Sequence, residues 1–385
     1  MKILHFYKTY KTESFGGTEQ FIYHLCRATS KLGLENGVLT LSREPGDVIF
    51  DDHNVYRAKL DFEIASTGFS FAALKRFSQL AQEADVIHYH FPWPFMDLVH
   101  FWSRPQKPTV VTYHADIIRQ KRLLMLYKPL QSLFLKSVDA IVSTSPNYRE
   151  TSLVLKNYAD KVSVIPIGLD EEAYPMASSQ RTRYWQSLFQ TRFFLFIGVL
   201  RYYKGLFVLL KAAKFCKFPI VIVGEGPVEA ELKQYAKQHH LSHVHFVGEI
   251  SDEDKAALLA LSYAVLLPSQ LRAEAFGITL LEGAMFGKAM ITCEIGTGTS
   301  FVNINEETGK VIPPNDDNAL KAAMQYLWDH PEICAQMGQA ARARYLEHFT
   351  AEKMAKQYYD LYQRLPTTTK TMPAAKHKPL KIGGK

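Results

Sequence analysis

The stretch FFLFIGVLRYYKGLFVLLKAAKFCKFPIVIV, residues 193–223, decides the fold class, because an apolar run, a helix-length segment and a second apolar run follow one another. The two runs, 193–199 and 220–223, have the Val, Ile, Leu and Phe content typical of parallel strands covered on both faces. The same alternation continues in both directions along the chain. It predicts an α/β fold with right-handed crossovers.

Further strands are predicted on both sides of this stretch, and they fall into two groups. Those of the first half are 2–6, 36–41, 85–89, 109–113, 140–144 and 162–165, and those of the second half include 245–247, 264–267 and 289–292. The apolar periodicity breaks at 166–190, so we place a domain boundary there. Two doubly wound domains, 1–175 and 190–345, should face one another across a cleft at the carboxyl ends of their strands. We expect 346–365 to be a helix packing back toward the first domain.

Composition excludes several classes of protein. Of the 385 residues, 47% are hydrophobic and 22% charged, which excludes wholesale disorder. The net charge of +7 comes from two short segments, since 117–136 and 366–385 each contain five Lys or Arg and no acid. The rest of the chain is mildly acidic, so we expect no nucleic-acid binding, and 366–385 is predicted to be a disordered basic tail.

The four cysteines are irregularly spaced, which predicts free thiols in a reducing compartment. The first residues lack the apolar core of a signal peptide, and no apolar run reaches the roughly 18 residues of a membrane span. We therefore expect a cytoplasmic protein.

Two glycine-containing turns are candidate anion sites. Gly16 and Gly17 follow the first strand and open a helix, whose free N–H groups can bind an anion, although an ordinary tight turn explains the pattern equally well. Arg201 and Lys204 follow the strand 193–199, and their spacing puts them on one face of a first helical turn. Two cations beside a helix N-terminus suit a diphosphate, and a solvated basic turn is the alternative.

The segment EAFGITLLE, residues 274–282, carries two carboxylates about two helical turns apart. Glu274 is expected in the loop before a helix and Glu282 within it. A carboxylate accepts hydrogen bonds from sugar or ribose hydroxyls, and the amides of Phe276, Gly277 and Ile278 at the helix start can meet phosphate. A capping acid before an amphipathic helix is the alternative.

Several histidines and acids carry weaker signals. His114 stands at a strand end, where position alone favours a structural role. His88 and His90 share a strand face, but the sequence offers no evident third ligand, so no metal site is predicted. The run Asp252-Glu-Asp254 resembles a metal-binding motif, yet Ser251 three residues before Asp254 indicates a helix cap instead.

These residues, in this order, resemble the GT-B glycosyltransferases of family 4, which are retaining enzymes that use nucleotide sugars. The motifs that carry the resemblance are Gly16-Gly17, Thr112-Tyr113-His114, Ser145-Pro146, IPIGLD at 165–170, Gly198 with Lys204-Gly205, GEGP at 224–227, Leu267-Pro268-Ser269 and the Glu274/Glu282 pair. Segments 113–121 and 294–303 further resemble bacterial O-antigen mannosyltransferases, which act on polyprenyl-linked oligosaccharides. One departure is Val199, where the family often has Arg; Arg201 could take over that role.

The resemblance implies the GT-B fold, two Rossmann-like domains with C-terminal helices, and a metal-independent hexosyltransferase without a cofactor. Arg201 and Lys204 would neutralise the departing nucleoside diphosphate, Glu274 would hold donor-sugar hydroxyls, and His114 would contact the sugar near the reacting carbon. The implied catalytic residues are His114, Glu274, Arg201 and Lys204. The implied donor-binding residues are Gly16, Gly17, Arg201, Lys204, Val247, Phe276, Gly277, Ile278 and Glu282, the last on the ribose.

The expected donor is GDP-mannose, and the expected acceptor is a polyprenyl-diphosphate-linked oligosaccharide of O-antigen or lipopolysaccharide biosynthesis. Alternatives are a UDP-sugar donor, a sugar-nucleotide epimerase or phosphorylase of the same fold, and a non-catalytic subunit that binds sugar nucleotides.

The segment 117–136 mixes its five cations with Ile, Leu, Met and Phe. A basic amphipathic helix can lie in a membrane interface, where each cation near anionic lipid contributes about 1 kcal/mol. This predicts peripheral association with the inner face of the membrane. A core-facing helix with a solvated basic side explains the pattern equally well.

Overall fold

The computed structural model describes residues 1–13, 16–65, 67–117 and 121–366. Of the predicted segments, residues 118–120 of the basic segment 117–136 and the tail from 367 onward lie outside the described residues, as do the side chains of Lys121 and Arg122.

The first half of the chain forms an eight-stranded sheet in the order β10-β9-β8-β7-β1-β2-β4-β3. Its strands are β1 Lys2–Phe6, β2 Glu35–Ser42, β3 Gly46–Phe50, β4 His53–Lys59, β7 Val86–Phe91, β8 Thr109–Tyr113, β9 Ala140–Ser143 and β10 Val162–Val164; β5 Phe62–Ile64 and β6 Thr67–Phe69 form a separate pair. Its helices are α1 Gly17–Ser30, α2 Phe71–Glu83, α3 Pro94–Ser103, α4 Lys121–Ser137 and α5 Pro146–Thr151. All neighbours pair in parallel except β3, which runs antiparallel to β4.

The second half forms a parallel six-stranded sheet in the order β13-β12-β11-β14-β15-β16. Its strands are β11 Phe194–Ile197, β12 Ile220–Val223, β13 Val244–Gly248, β14 Ala264–Leu267, β15 Ala289–Cys293 and β16 Gly309–Ile312. Its helices are α6 Ser179–Leu188, α7 Leu206–Ala213, α8 Glu229–Gln238, α9 Asp252–Leu261, α10 Ile278–Met285, α11 Thr299–Val302, α12 Asp317–Asp329, α13 Pro331–His348 and α14 Ala351–Arg364. This strand order reverses between β11 and β14, and ligands of doubly wound sheets bind at such a point.

The apolar strands are buried as their composition predicts, since every residue of β11, β12, β14 and β15 is buried. The turn after β11 packs directly on the loop after β14. Gly205 there has φ +74°, and a Cβ on it would lie 1.8 Å from the carbonyl oxygen of Pro268, so only glycine fits. This close approach brings the loops after the two strands together.

The segment 166–190 is more ordered than its composition indicates. It contains α6, which Ser178 caps and which packs on α9. The Trp185 indole donates to the Asp254 carboxylate at 2.7 Å. Ser and Arg at the start of α6 therefore serve capping and ion pairing, and the apolar pattern that sequence reasoning looks for is absent.

The last helix, α14, packs against α1 of the first half. The Tyr358 hydroxyl lies 2.8 Å from the Thr112 hydroxyl, and the Tyr362 hydroxyl lies 2.7 Å from Nδ1 of His88. Both contacts are made with buried residues of the first sheet, so α14 links the second half of the chain to the first.

Candidate active site

Lys204 and Glu274 form an ion pair at the point where the second sheet reverses its strand order. Lys204 follows β11, Glu274 follows β14, and both side chains are nearly buried, 12% and 11% exposed. The Ser269 hydroxyl donates to the same carboxylate oxygen at 3.1 Å. Burial disfavours the charged form of Lys204, but the Glu274 carboxylate raises the pKa of the ammonium above its ordinary value. The Lys204 ammonium therefore stays charged, and the Glu274 carboxylate accepts from both Lys204 and Ser269.

Arg201 does not share a helical face with Lys204 as the spacing predicts. Arg201 precedes a 3-10 turn, Tyr202–Lys204, whose last residue is Lys204, and the Lys204 N–H donates to the Arg201 carbonyl at 3.0 Å. Gly205 in the left-handed region delays the start of α7 until after this turn. Arg201 is exposed and Lys204 faces Glu274, yet they are close enough for the Arg201 charge to act on the pKa of Lys204.

The N-termini of α1 and α10 meet across the interface between the halves. A Cβ on Gly17 would lie 3.4 Å from Cγ1 of Ile278. Sequence reasoning missed Glu19, an acid whose side chain is buried. Its Oε2 lies 2.3 Å from the position that a Cβ on Gly16 would take. The Thr9 hydroxyl donates to Glu19 at 2.6 Å. An anion at the start of α1 would therefore have a carboxylate beside it.

The start of α10 is closely packed, because a Cβ on Gly277 would lie 2.8 Å from Cδ2 of Leu267. Gly277 caps the helix with φ +87°, while the Phe276 side chain is 4% exposed and packs toward Phe349. Of the predicted residues, Phe276, Gly277 and Ile278 follow Glu274 within four positions of the chain, and Gly17 lies across the interface from Ile278.

Glu282 lies within α10, as predicted, but its carboxylate already has two partners. The Tyr174 hydroxyl donates to Oε1 at 2.9 Å, and the Lys255 ammonium lies 3.0 Å from the same oxygen. Burial disfavours the charged form of Lys255, yet Glu282 and Asp252 raise the pKa of that ammonium. Both partners contact Oε1, and the side chain as a whole is 3% exposed.

Val247 lies near the end of β13, the edge strand of the second sheet, and is partly buried. One strand, β12, separates it from β11, which leads to Lys204. The structure therefore places Val247 to one side of the ion pair.

His114 directly follows β8 and is 7% exposed. Its Nε2 lies 3.2 Å from Nδ1 of His90, and its ring makes an edge contact with Phe21 of α1 at 4.8 Å between centroids. Burial lowers the pKa of His114 to about 3, so the imidazole is neutral.

The sequence offers no evident third ligand beside His88 and His90, but the structure places His5 next to them. His5 lies in register with His88 on the neighbouring strand β1, and the ligand atoms of His5, His88 and His90 lie within 4.8 Å of one another. All three side chains are buried. Sequence reasoning missed His5 because more than 80 residues separate it from its neighbours in the sheet.

Comparison with known proteins decides the family. Residues 15–173 match the model of Glycosyltransferase Family 4, and residues 185–344 match that of Glycosyl transferases group 1. The chain is 56% identical over 353 residues to D-rhamnosyltransferase WbpZ of Pseudomonas aeruginosa, covering 91% of this chain and 93% of that protein. It is 51% identical over 367 residues to O-antigen chain mannosyltransferase C of Escherichia coli, covering 95% and 99%. The chain belongs to the GT-B glycosyltransferases of family 4.

Solved structures give the same fold. The glycosyltransferase superposes on sucrose-phosphate synthase from Thermosynechococcus elongatus with a TM-score of 0.76 at 20% identity, covering 94% of this chain and 98% of the other. It superposes on Anabaena HepE in complex with UDP with a TM-score of 0.75 at 17% identity, covering 95% and 100%. The prediction of two Rossmann-like domains is confirmed.

In this glycosyltransferase the acidic run at 252–254 is a helix cap, as predicted. The Ser251 hydroxyl accepts from the Asp254 N–H at 3.1 Å at the start of α9. The Asp254 carboxylate accepts from Arg181 and Trp185. Asp254 therefore connects α9 to α6 and has a structural role.

Proposed function

We propose that this glycosyltransferase moves mannose from GDP-mannose to a polyprenyl-diphosphate-linked oligosaccharide with retention of configuration, in O-antigen synthesis. The observation that carries the donor site is the buried Lys204–Glu274 pair at the switch point of the second sheet. The relatives named for mannose and D-rhamnose support the sugar, because D-rhamnose is 6-deoxymannose and the two share one ring configuration.

The charges at the site fit a diphosphate leaving group. An ammonium has three donors, so Lys204 can keep its bond to Glu274 and still donate to a phosphate oxygen. Exposed Arg201 adds a second cation, and preorganised cations stabilise charge that develops as a bond breaks. In the proposed reaction these two cations, in place of a metal ion, stabilise the negative charge on the departing diphosphate.

Glu274 would accept hydrogen bonds from donor-sugar hydroxyls, since its carboxylate can accept more bonds than Lys204 and Ser269 supply. The bond from the anomeric carbon to the diphosphate breaks through an oxocarbenium-like state. The acceptor oxygen then bonds to that carbon on the same face, and its proton passes to the departing phosphate oxygen. No carboxylate of the chain acts as nucleophile in this scheme.

A donor panel tests the proposal. Purified protein is incubated with an oligosaccharide-diphosphate-lipid acceptor and, separately, GDP-mannose, GDP-D-rhamnose, UDP-glucose, UDP-galactose or UDP-N-acetylglucosamine, each with and without EDTA. We expect acceptor-dependent GDP release and mannosylated product, unaffected by EDTA. Turnover with UDP-sugars alone would contradict the GDP-mannose assignment. Binding of donor without turnover would favour the non-catalytic subunit, and conversion without acceptor would favour an epimerase.

Helix α4 supports a membrane-facing surface on the first half. Phe134 and Leu135 on one side of it are buried, but large apolar side chains stay exposed elsewhere on the helix: Leu123, Met125, Leu126 and Leu133. The neighbouring helix α3, which packs on α4, exposes 74% of Trp102. The buried side of α4 fits the core-facing interpretation of this segment, and the exposed apolar side chains support the proposal of a membrane interface. No helix among the described residues has the length and apolar content to span a bilayer.

We propose that this surface binds anionic lipid, and charge reversal tests it. Replacing Arg119, Lys121 and Arg122 by Glu should weaken binding to vesicles containing anionic lipid by about 10²-fold or more, because each lost cation costs about 1 kcal/mol. Leu126→Ser should also weaken binding, whereas Leu188→Ser, which changes an exposed leucine on α6, should not. Vesicle co-sedimentation measures the effect, and unchanged binding of the triple variant would refute the membrane surface.

A further inference from the structure

A continuous chain of buried side chains leads from His114 into the first sheet. Nε2 of His114 lies 3.2 Å from Nδ1 of His90, and Nε2 of His90 lies 3.1 Å from Nδ1 of His5. Nε2 of His5 then lies 3.3 Å from Oδ1 of Asn36. The four residues come from the end of β8 and from β7, β1 and β2, which are neighbours in that order.

Asn36 fixes the direction of this chain. Its Nδ2 lies 3.0 Å from the carbonyl oxygen of Cys26, which can only accept a hydrogen bond. The amide nitrogen must therefore point at Cys26 and the amide oxygen at His5, because the reverse orientation would bring two acceptors together. Nε2 of His5 consequently carries a proton and donates to Asn36.

The protonated nitrogen of each further histidine follows from that of its neighbour, because a neutral imidazole has one donor and one acceptor nitrogen. Burial lowers the pKa of His5 and of His114 to about 3, and that of His90 well below its ordinary value, so all three rings are neutral. With Nδ1 of His5 an acceptor, Nε2 of His90 donates to it. Nε2 of His114 in turn donates to Nδ1 of His90, which leaves Nδ1 of His114 unprotonated.

We infer that Asn36, His5 and His90 are positioning residues that fix His114 as a neutral hydrogen-bond acceptor, whose Nδ1 takes a hydrogen bond from a hydroxyl of the donor sugar. Among the described residues, Nδ1 of His114 has no hydrogen-bond partner. The role toward sugar rests on the proposed function. A lone pair beside an oxocarbenium-like centre is favourable, whereas an imidazolium there would repel it.

A metal ion is the competing use of the same histidines, and the contacts of His88 disfavour it. Nε2 of His88 lies 2.7 Å from the Thr112 hydroxyl, and its Nδ1 lies 2.7 Å from the Tyr362 hydroxyl. The facing nitrogens of His5 and His90 are occupied by their mutual hydrogen bond. The ring nitrogens that would coordinate an ion thus already have protein partners.

Nitrogen-15 NMR of histidine-labelled protein without ligand tests the tautomer. We expect the His114 signals of an imidazole protonated at Nε2 and bare at Nδ1, unchanged from pH 8 to pH 6. Protonation at Nδ1 would overturn the inference, and so would a stoichiometric transition metal bound to His5, His88 and His90 in the purified protein. This spectrum needs no donor, so it is independent of the proposed function.

Two substitutions of one residue separate positioning from packing. His90→Leu removes the acceptor for Nε2 of His114. It should lower kcat/KM for the donor about tenfold, which is the effect of one hydrogen bond. The nitrogen-15 spectrum should then show that His114 is no longer held in a single tautomer. His90→Asn can place an amide oxygen near the former Nδ1 and should restore both. Equal spectra and equal activity in the two variants would overturn the inference. If the His90→Leu variant does not fold, the nitrogen-15 spectrum of the wild-type protein tests the inference by itself.

Discussion

Lys204→Met should lower kcat by about 10²–10³-fold with a smaller change in KM, because the ammonium stabilises charge that develops mainly as the diphosphate leaves. Lys204 lies beside Glu274 in a nearly buried position, where water screens its charge only weakly. Initial rates of donor turnover against donor concentration measure the effect.

The matched control is Lys211→Met, which removes an exposed lysine of the following helix α7 and should leave kcat unchanged. Lys204→Met alone leaves the Glu274 charge unpaired, so stability must be followed as well. The double variant Lys204→Met/Glu274→Gln removes both charges and should fold better than the single variant yet be no more active. A folded Lys204→Met enzyme with kcat within threefold of wild type would refute the assignment.

Between pH 6.5 and pH 5.0 the free energy of unfolding should fall by about 5 kcal/mol from three histidines alone, since their unfolded forms are half protonated at pH 6.5 and almost fully protonated at pH 5.0. Burial lowers the pKa of His5, His24 and His114 to about 3 in the folded protein. The unfolded chain therefore binds more protons than the folded chain below about pH 6.5, so stability rises with pH there and is lost on acidification down to about pH 3. Each histidine contributes about 1.4 kcal/mol per pH unit in that window.

Urea unfolding at a series of pH values measures this slope. Nδ1 of His24 accepts from the Asp170 N–H at 3.2 Å, so His24→Asn can keep that bond and remove the titrating group. It should reduce the slope by the share of one histidine, whereas His239→Gln, at an exposed position, should not. A free energy of unfolding that stays constant from pH 6.5 to 5.0 would contradict the neutral buried histidines.

The central strands were predictable because their residues are apolar on both faces. The predicted bounds of β1, β8, β12 and β14 match the structure. β3 and β4 were not predicted, because β3 is a partly exposed antiparallel edge strand and β4 mixes polar with apolar residues. β16, with Gly and Lys among its four residues, gives a weak signal for the same reason.

The sequence predicted individual residues of the site, but it did not predict which of these residues contact one another. Lys204 and Glu274 were each singled out from local motifs, and their ion pair depends on β11 and β14 being adjacent, which the sequence does not state. Tyr174 and Lys255, which hold Glu282, come from segments interpreted as a linker and as a helix start. Long-range strand order is what brings these groups together, and local spacing carries little information about it.

The anomeric configuration of the product tests most directly whether the acceptor attacks on the face of the departing phosphate, which then takes the acceptor's proton. Mannose transferred from GDP-α-mannose to a synthetic acceptor is examined by the one-bond carbon–hydrogen coupling at the new anomeric centre. The proposed reaction on one face of the sugar predicts an α-mannoside. A β-mannoside would require attack from the opposite face with a separate base, and it would contradict the same-face reaction in which the departing phosphate takes the proton.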